Sequence, residues 1–562
     1  MSAARSPTPS AWAVAALVAA WLAATAWMRP LMLPDEGRYA GVAWQMLHSG
    51  DWLTPTLNGL PFFHKPPLFY WITGAALAAF GPVEIAARVA SIAGGVLGAM
   101  ALYLFTRRWC GEAMARRALA VLLVQPLFFI GAQFANLDML VAGCIVATVL
   151  ALAHAALCFE AGHPHRATLW GAYALAALGV LAKGLIGFVL PAAIVGLWLL
   201  LRGRWRTLLA LLSPGGAALF LLIAAPWFWA MQQRFDGFLH YFFVVQHFQR
   251  FAETGFNNVQ PFWFYPAVLA LCSLPCILWV RFGRGYLRGC PARIERQAGA
   301  ADRDGLQGAK HSDNHSYREH LQRGRPPESA DARGAVIRAE HPLDPVRLLM
   351  ALAVGVVVLF FSLPQSKLVG YVLPAVPPLA WLMADASQGH AGAHGRWWTA
   401  SLAVSALLGL AVVVGLAIDQ RHSARPLGLA LRAQHQPGEP VFMVKEYLYD
   451  LPFYARLTTP LAMVDDWGDP RITQTDNWRK ELADAGVFDA PRAQQVLVPT
   501  AAWLQALCRA PVAWVVGSDD LPKTYPVLAH AQAMGTTRGQ TLWRVADCAG
   551  IPHADPADPA NQ

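Results

Sequence analysis

The 562 residues are 56% hydrophobic and only 14% charged, where an ordinary soluble domain carries roughly 25% charged residues. That composition excludes a water-soluble globule, and the apolar residues gather into runs close to the roughly 20 that a helix needs to cross a bilayer. The formal charge of +9, from 44 Lys and Arg against 35 Asp and Glu, does not indicate nucleic acid as a partner, because the basic residues sit in short loops between apolar runs and no basic module is present.

In chain order, the apolar runs predict spans near 11–31, 86–106, 118–135, 139–157, 169–182, 185–201, 207–230, 262–280, 347–363, 371–386 and 398–418. The expectation is a polytopic α-helical membrane protein with about 11–13 transmembrane helices. Three basic clusters alternate along the chain: Arg107-Arg108 with Arg116-Arg117, then Arg202, Arg204 and Arg206, then the arginine-rich stretch from Arg281. One orientation puts all three inside, with a cytoplasmic N-terminus. The first run reads as an uncleaved helix, since it is long for a signal sequence and its basic lead is Arg5 alone.

This orientation leaves 32–85, 231–261 and the tail from 419 outside. Residues 284–345 are cytoplasmic, polar and without apolar periodicity, which predicts a flexible insertion; His311, His315 and His320 within it lack a metal-binding spacing. The chain thus divides into a membrane domain over 1–418 and a soluble α/β domain over 419–562. In the latter, strands are predicted at Val441–Val444, Leu461–Val464, Val512–Val516 and Thr541–Val545, and helices near Asn477–Gly486 and Ala501–Arg509. Cys508 and Cys548 are the two cysteines on the outer side, and in an oxidising compartment they are candidates for a disulfide.

The outer segments hold the candidate chemistry. Asp35 and Glu36 follow Leu33-Pro34 where the first helix leaves the membrane, with Arg38 and Tyr39 one turn on. A carboxylate there, partly desolvated beside a cation, could act as a general base; acids in a first helical turn can equally be simple caps. Asp138 falls between two apolar runs that meet on the outer face, at the depth of Asp35. Lys65, Lys183 and Lys367 also lie outside or interrupt apolar runs, and such cations usually have an anionic partner or a function. Phosphate is the natural anion for such a set. The aromatic loop 231–261 carries His240, His247 and Arg250; His247 and Arg250, at i and i+3, share one helix face.

The blocks LPDEGRYA, SGDWLTPTLNGLPFFHKPPLFYW, NLDML, LAKGLIGFVLP, PWFW…FFVVQHFQRF…QPFWFY and FFSLPQSKLVGYVLPAVPPLA, in this order over about residues 30–390, resemble the bacterial aminoarabinose lipid A transferases. These belong with the protein O-mannosyltransferases in a superfamily of membrane glycosyltransferases of GT-C type. The resemblance implies transfer of a sugar from undecaprenyl phosphate to lipid A on the periplasmic side of the inner membrane. It places Asp35 at the family's catalytic position, with Glu36, Arg38 and Tyr39 beside it, and Asp138 at the second acidic position. Lys65 and Arg250 match basic positions that hold phosphate, and Lys183 and Lys367 are added as candidates for the same task. The implied reaction is an inverting displacement at the anomeric carbon. At His64 this family commonly has an acid before Lys-Pro-Pro; a His64 and His247 pair leaves a divalent metal such as zinc open, and no other cofactor is implied.

Two alternatives stay open. A lipid-linked-sugar transferase could act on protein or another glycan. A lipid flippase or transporter would place ionisable groups near the midplane and show repeated halves, whereas the candidate groups here cluster in outer loops.

Overall fold

The computed structural model describes residues 10–249, 258–282, 344–388 and 395–546. Helices α1 (Ala11–Ala23), α2 (Asp35–Ser49), α3 (Leu68–Phe80), α4 (Glu84–Trp109), α5 (Glu112–Val124), α6 (Pro126–Ala132), α7 (Leu137–Glu160), α8 (Arg166–Lys183), α9 (Ile186–Leu201), α10 (Trp205–Leu211) and α11 (Pro214–Arg234) follow one another, with a hairpin of β1 (Thr56–Leu57) and β2 (Leu60–Pro61) between α2 and α3. The helices Phe264–Cys272, Leu278–Phe282, Pro345–Ser362, Val376–Ser387 and Gly395–Ile418 complete the membrane part.

Among the described residues six helical segments are long and apolar enough to cross a membrane: α4, α7, α11, Pro345–Ser362, Val369–Ser387 and Gly395–Ile418. A seventh arises if α5 and α6, bent by 70° where Pro126 interrupts the run, count as one span. The eleven apolar runs are therefore not eleven continuous spans, because several are divided. Residues 262–280 are split by the turn at Leu274-Pro275, and the run from 207 is broken between α10 and Pro214. A proline inside a run removes a backbone donor and crowds the preceding turn. The helices α1, α3 and α9 are apolar but shorter.

The α7 helix is the axis of the bundle, buried along most of its length, and α4 and α8 flank it. A side chain on Gly143 of α7 would collide with the Gly94 backbone of α4, and one on Gly94 with the Met139–Leu140 backbone of α7, the small-residue contact that lets membrane helices approach. Asn136 starts α7 by accepting the amide of Asp138 at 2.5 Å.

After Gly395–Ile418, a mixed sheet is built in the order β5-β4-β3-β6-β8-β7: β3 (Val441–Val444), β4 (Ala462–Asp465), β5 (Leu497–Pro499), β6 (Ala513–Ser518), β7 (Gln532–Thr537) and β8 (Gln540–Val545). The first four are parallel, and β8 joins β6 and β7 antiparallel. Strands β3, β4, β6 and β8 lie within a residue or two of their predicted places, and Trp478–Gly486 and Trp503–Leu507 supply the two helices. Cys508 is disulfide-bonded; Cys548 lies outside the described residues.

The sheet domain rests directly on the segment that follows α1. Leu31 N–H donates to Tyr454 Oη at 2.7 Å, Trp44 Nε1 donates to the Leu457 carbonyl at 2.8 Å, and Asn58 exchanges two bonds with Leu461 at 2.9 and 2.8 Å. Gly37 fits against the Tyr449–Asp450 backbone. One continuous apolar core joins the membrane helices to β3, β4 and β6.

Candidate active site

Asp35 is the first residue of α2. Pro34 stands at the cap position and provides no side-chain bond, and Asp35 itself accepts no bond from the amides of its own helix among the described residues. Its nearest charged partner there is Arg38, at 3.8 Å, and its side chain is 31% exposed. Partial burial raises its carboxyl above the usual aspartate range, Arg38 pulls it back down, and the charges of Asp138 and Lys183 reach it from across the site. A half-buried carboxylate without a close donor has its lone pairs free for an incoming group.

Glu36, one residue on, is different. It is fully buried, and it forms ion pairs with both Arg29 and Arg88 while accepting the amides of Met32 at 3.0 Å and Ala135 at 2.8 Å. Burial alone would push its carboxyl up; the two guanidinium groups win and hold it at about 2. Glu36, expected beside Asp35 as a catalytic group, is thus enclosed by its own partners and joins backbone to backbone.

Asp138 opens α7 and Lys183 closes α8, which brings them into an ion pair. Asp138 is 5% exposed. Lys183 Nζ also lies 4.4 Å from the Tyr371 ring centroid, and Gly370 leaves the room that Asp138 occupies. Arg38, expected as a phosphate ligand, pairs with Glu481 of the sheet domain at 2.8 Å and lies 4.8 Å from the Tyr449 ring centroid. Tyr39 is buried against Phe69 and Tyr70.

Lys65 is half-buried in the loop before α3, beside His64. The His64 ring is buried, its Nε2 3.0 Å from Tyr241 Oη, and Tyr241 Oη donates to Asp484 at 3.4 Å. The His247 side chain and all of Arg250 lie outside the described residues. No group of three or more His, Cys, Asp or Glu gathers among the described residues, so the side chains seen do not make a zinc site around His64. Lys367, expected as a phosphate ligand, has its protons engaged by backbone carbonyls. Its ammonium is buried and donates to the carbonyls of Pro364 at 2.6 Å, Gln260 at 2.8 Å and Gln365 at 3.4 Å, which uses all three of its protons.

Arg29, Arg88, Tyr371, Tyr449 and Glu481 were not among the expected residues. Arg88 gave a signal, a cation inside an apolar run; Glu481 gave none, because only folding brings it to Arg38.

Comparison with known proteins now decides the family. A family profile described as dolichyl-phosphate-mannose-protein mannosyltransferase matches residues 64–229. An undecaprenyl phosphate-alpha-4-amino-4-deoxy-L-arabinose arabinosyl transferase of Pseudomonas paraeruginosa is 30% identical over 80% of this chain and 68% of its own length. The chain belongs to this arabinosyl transferase family. The relative in Sodalis glossinidius is 33% identical over 63% of this chain, which spans just over half, 55%, of that relative's length; one in Pectobacterium carotovorum is 28% identical over 78% and 69%. The ArnT of Cupriavidus metallidurans, solved bound to undecaprenyl phosphate, shares the fold with a TM-score of 0.68 at 22% identity, over 96% of this chain and 98% of that one. The arabinosyl transferase fold thus extends over the sheet domain as well as the membrane helices.

Proposed function

We propose that this chain is a glycosyltransferase of the bacterial inner membrane that moves 4-amino-4-deoxy-L-arabinose, or a closely related sugar, from undecaprenyl phosphate to lipid A at the periplasmic face. The observation that carries this reading is Asp35, a half-buried carboxylate without a close partner among the described residues, within electrostatic reach of the Asp138–Lys183 pair. These groups lie at the end of the bundle that the loop arginines assign to the outside. The names of the family's members support the donor and the sugar.

The reaction is a displacement at the anomeric carbon. An acceptor oxygen forms the new bond from one side while undecaprenyl phosphate leaves from the other with the bonding electrons. Asp35 takes the proton of an attacking hydroxyl or orients an acceptor phosphate that is already ionised. Lys65 and Arg250 stabilise the charge that builds on the leaving phosphate. Lys183 is neutralised by Asp138, so this pair fixes the floor of the site.

Mass spectrometry of lipid A from cells with and without the chain tests the proposal, with a mass increment of one aminopentose on a phosphate as the expected result. The match to a family named for protein mannosyl transfer favours protein as the second acceptor. Unchanged lipid A with sugar on protein would replace the first reading by that one.

A further inference from the structure

Among the described residues, Arg29, Glu36 and Arg88 form a group of three buried charges. Arg88 comes from α4 and spends all five of its N–H protons. Nε and Nη2 donate to Glu36 at 2.8 and 2.9 Å, Nη1 to the carbonyls of Ala26 at 2.5 Å and Arg29 at 3.0 Å, and Nη2 again to Pro30 at 3.0 Å. Arg29 grips the same carboxylate, with Nη2 at 3.2 Å from Oε1, and donates from that nitrogen to the Gln133 carbonyl at 2.6 Å. Glu36 in turn accepts the amide of Ala135. All three side chains are 1% exposed or less.

These bonds tie together two stretches of chain. One is 26–36, which leads into α2 and carries Asp35. The other is 133–135, which leads through Asn136 into α7 and carries Asp138. Ser91 of α4 adds to the second, donating to the Phe134 and Asn136 carbonyls at 2.7 and 3.0 Å. Helix α4 thus holds both leads, one through Arg88 and the other through Ser91, and neither backbone lead can shift without breaking bonds that have no solvent to replace them.

We propose that Arg29 and Arg88 are positioning residues, which act through Glu36 to set the spacing between the Asp35 and Asp138 carboxylates. The side chains touch no reacting atom. Buried guanidinium groups suit this task because their planar fork holds a carboxylate in one orientation, and a displacement of about 1 Å in a reacting group can cost on the order of 100-fold in rate. The inference about rate rests on the proposed transfer reaction; the inference about spacing does not.

Two measurements on the full-length protein in detergent test it. The first compares Arg88→Lys with the control Trp44→Phe, which loses a buried bond to Leu457 and leaves the three charges intact. Arg88→Lys keeps the charge but cannot make five bonds. It is expected to lower kcat for sugar transfer by roughly 10- to 100-fold, with KM for the lipid donor within about threefold of wild type, while Trp44→Phe at a comparable loss of melting temperature keeps kcat. Equal losses in both variants would reduce the cluster to a packing element and overturn the proposal. The second reads spacing without substrate. Asp35→Cys with Asp138→Cys is cross-linked by a short bifunctional thiol reagent and the link is identified by peptide mapping. The yield should fall at least several-fold when Arg88→Lys is added; an unchanged yield would overturn the proposal. If the wild-type chain transfers no sugar while cross-linking still depends on Arg88, the functional reading fails and the positioning role stands.

Discussion

Asp35 stands where the proposed chemical role and a capping role predict different outcomes. Since it caps nothing in α2, Asp35→Asn removes charge and leaves the fold alone; melting temperature should match wild type while transfer falls roughly 10²–10⁴-fold, the usual reach of a general base. Near wild-type product at matched protein level would take Asp35 out of the mechanism. Asp450 offers a test of a different kind. It is fully buried, accepts from Ser423 Oγ at 2.6 Å and the Ala424 amide at 2.9 Å, and burial pushes its carboxyl up to about 6. A raised pKa means that the folded state holds its proton to a higher pH than the unfolded chain. The stability this gives is complete below about pH 4 and is lost as pH rises through about 6. Asp450→Asn should therefore stabilise the protein at pH 7.5, by up to about 3 kcal/mol for two pH units, and this gain should vanish near pH 4 in thermal unfolding of the purified protein. A gain independent of pH would show that ionisation is not the cause. Among the proposed site residues, Asp35, Asp138 and Lys183 drew notice in the sequence because charges at the edge of apolar runs are costly and stand out. Glu36 and Lys367 stood out for the same reason, yet the structure gives them partners that leave no capacity for substrate. A sequence registers the cost of burying a charge but not which group compensates it.

At the scale of elements, the site depends on glycine contacts between segments that are distant in the chain. The 3-10 segment Val369–Ala375 passes Asp138 at Gly370, where a methyl group would overlap the carboxylate. Gly370→Ala should displace Asp138 from Lys183 and reduce transfer at least tenfold, with little change in expression, since the collision is confined to that pair; unaltered kinetics would mean that the loop yields freely. The strands had uneven visibility. The four residues of β3 and the body of β6 are continuous apolar runs buried on both faces, and such runs are easily read. By contrast β5 has three residues, and β7 is mostly polar at the sheet edge, so neither carries a pattern. Helix boundaries within the apolar runs were also hidden, because prolines at 126, 214 and 275 divide runs whose composition remains uniformly apolar.

At the scale of the whole molecule, the proposed orientation rests on the three arginine clusters. Reporter fusions after Trp71 and after Arg421 should both give periplasmic signals; cytoplasmic signals at both would put Asp35 on the side without lipid A. Non-reducing peptide mapping should join Cys508 to Cys548, and two alkylatable thiols at these positions in protein isolated without reductant would reject that pairing. The sequence by itself determined that the chain crosses a membrane repeatedly, that a sheet domain follows the last apolar helix, and that Asp35, Asp138 and Lys183 were exceptional. Each of these rests on local composition or period, which unfolded and folded chains share. The tertiary structure alone decided that Arg38 belongs to Glu481, that Glu36 is locked between Arg29 and Arg88, and that the sheet domain packs onto the segment bearing Asp35. Those contacts join residues far apart in sequence, and their energies arise from mutual burial and directed bonds, terms that come into being only when the chain has brought the partners together.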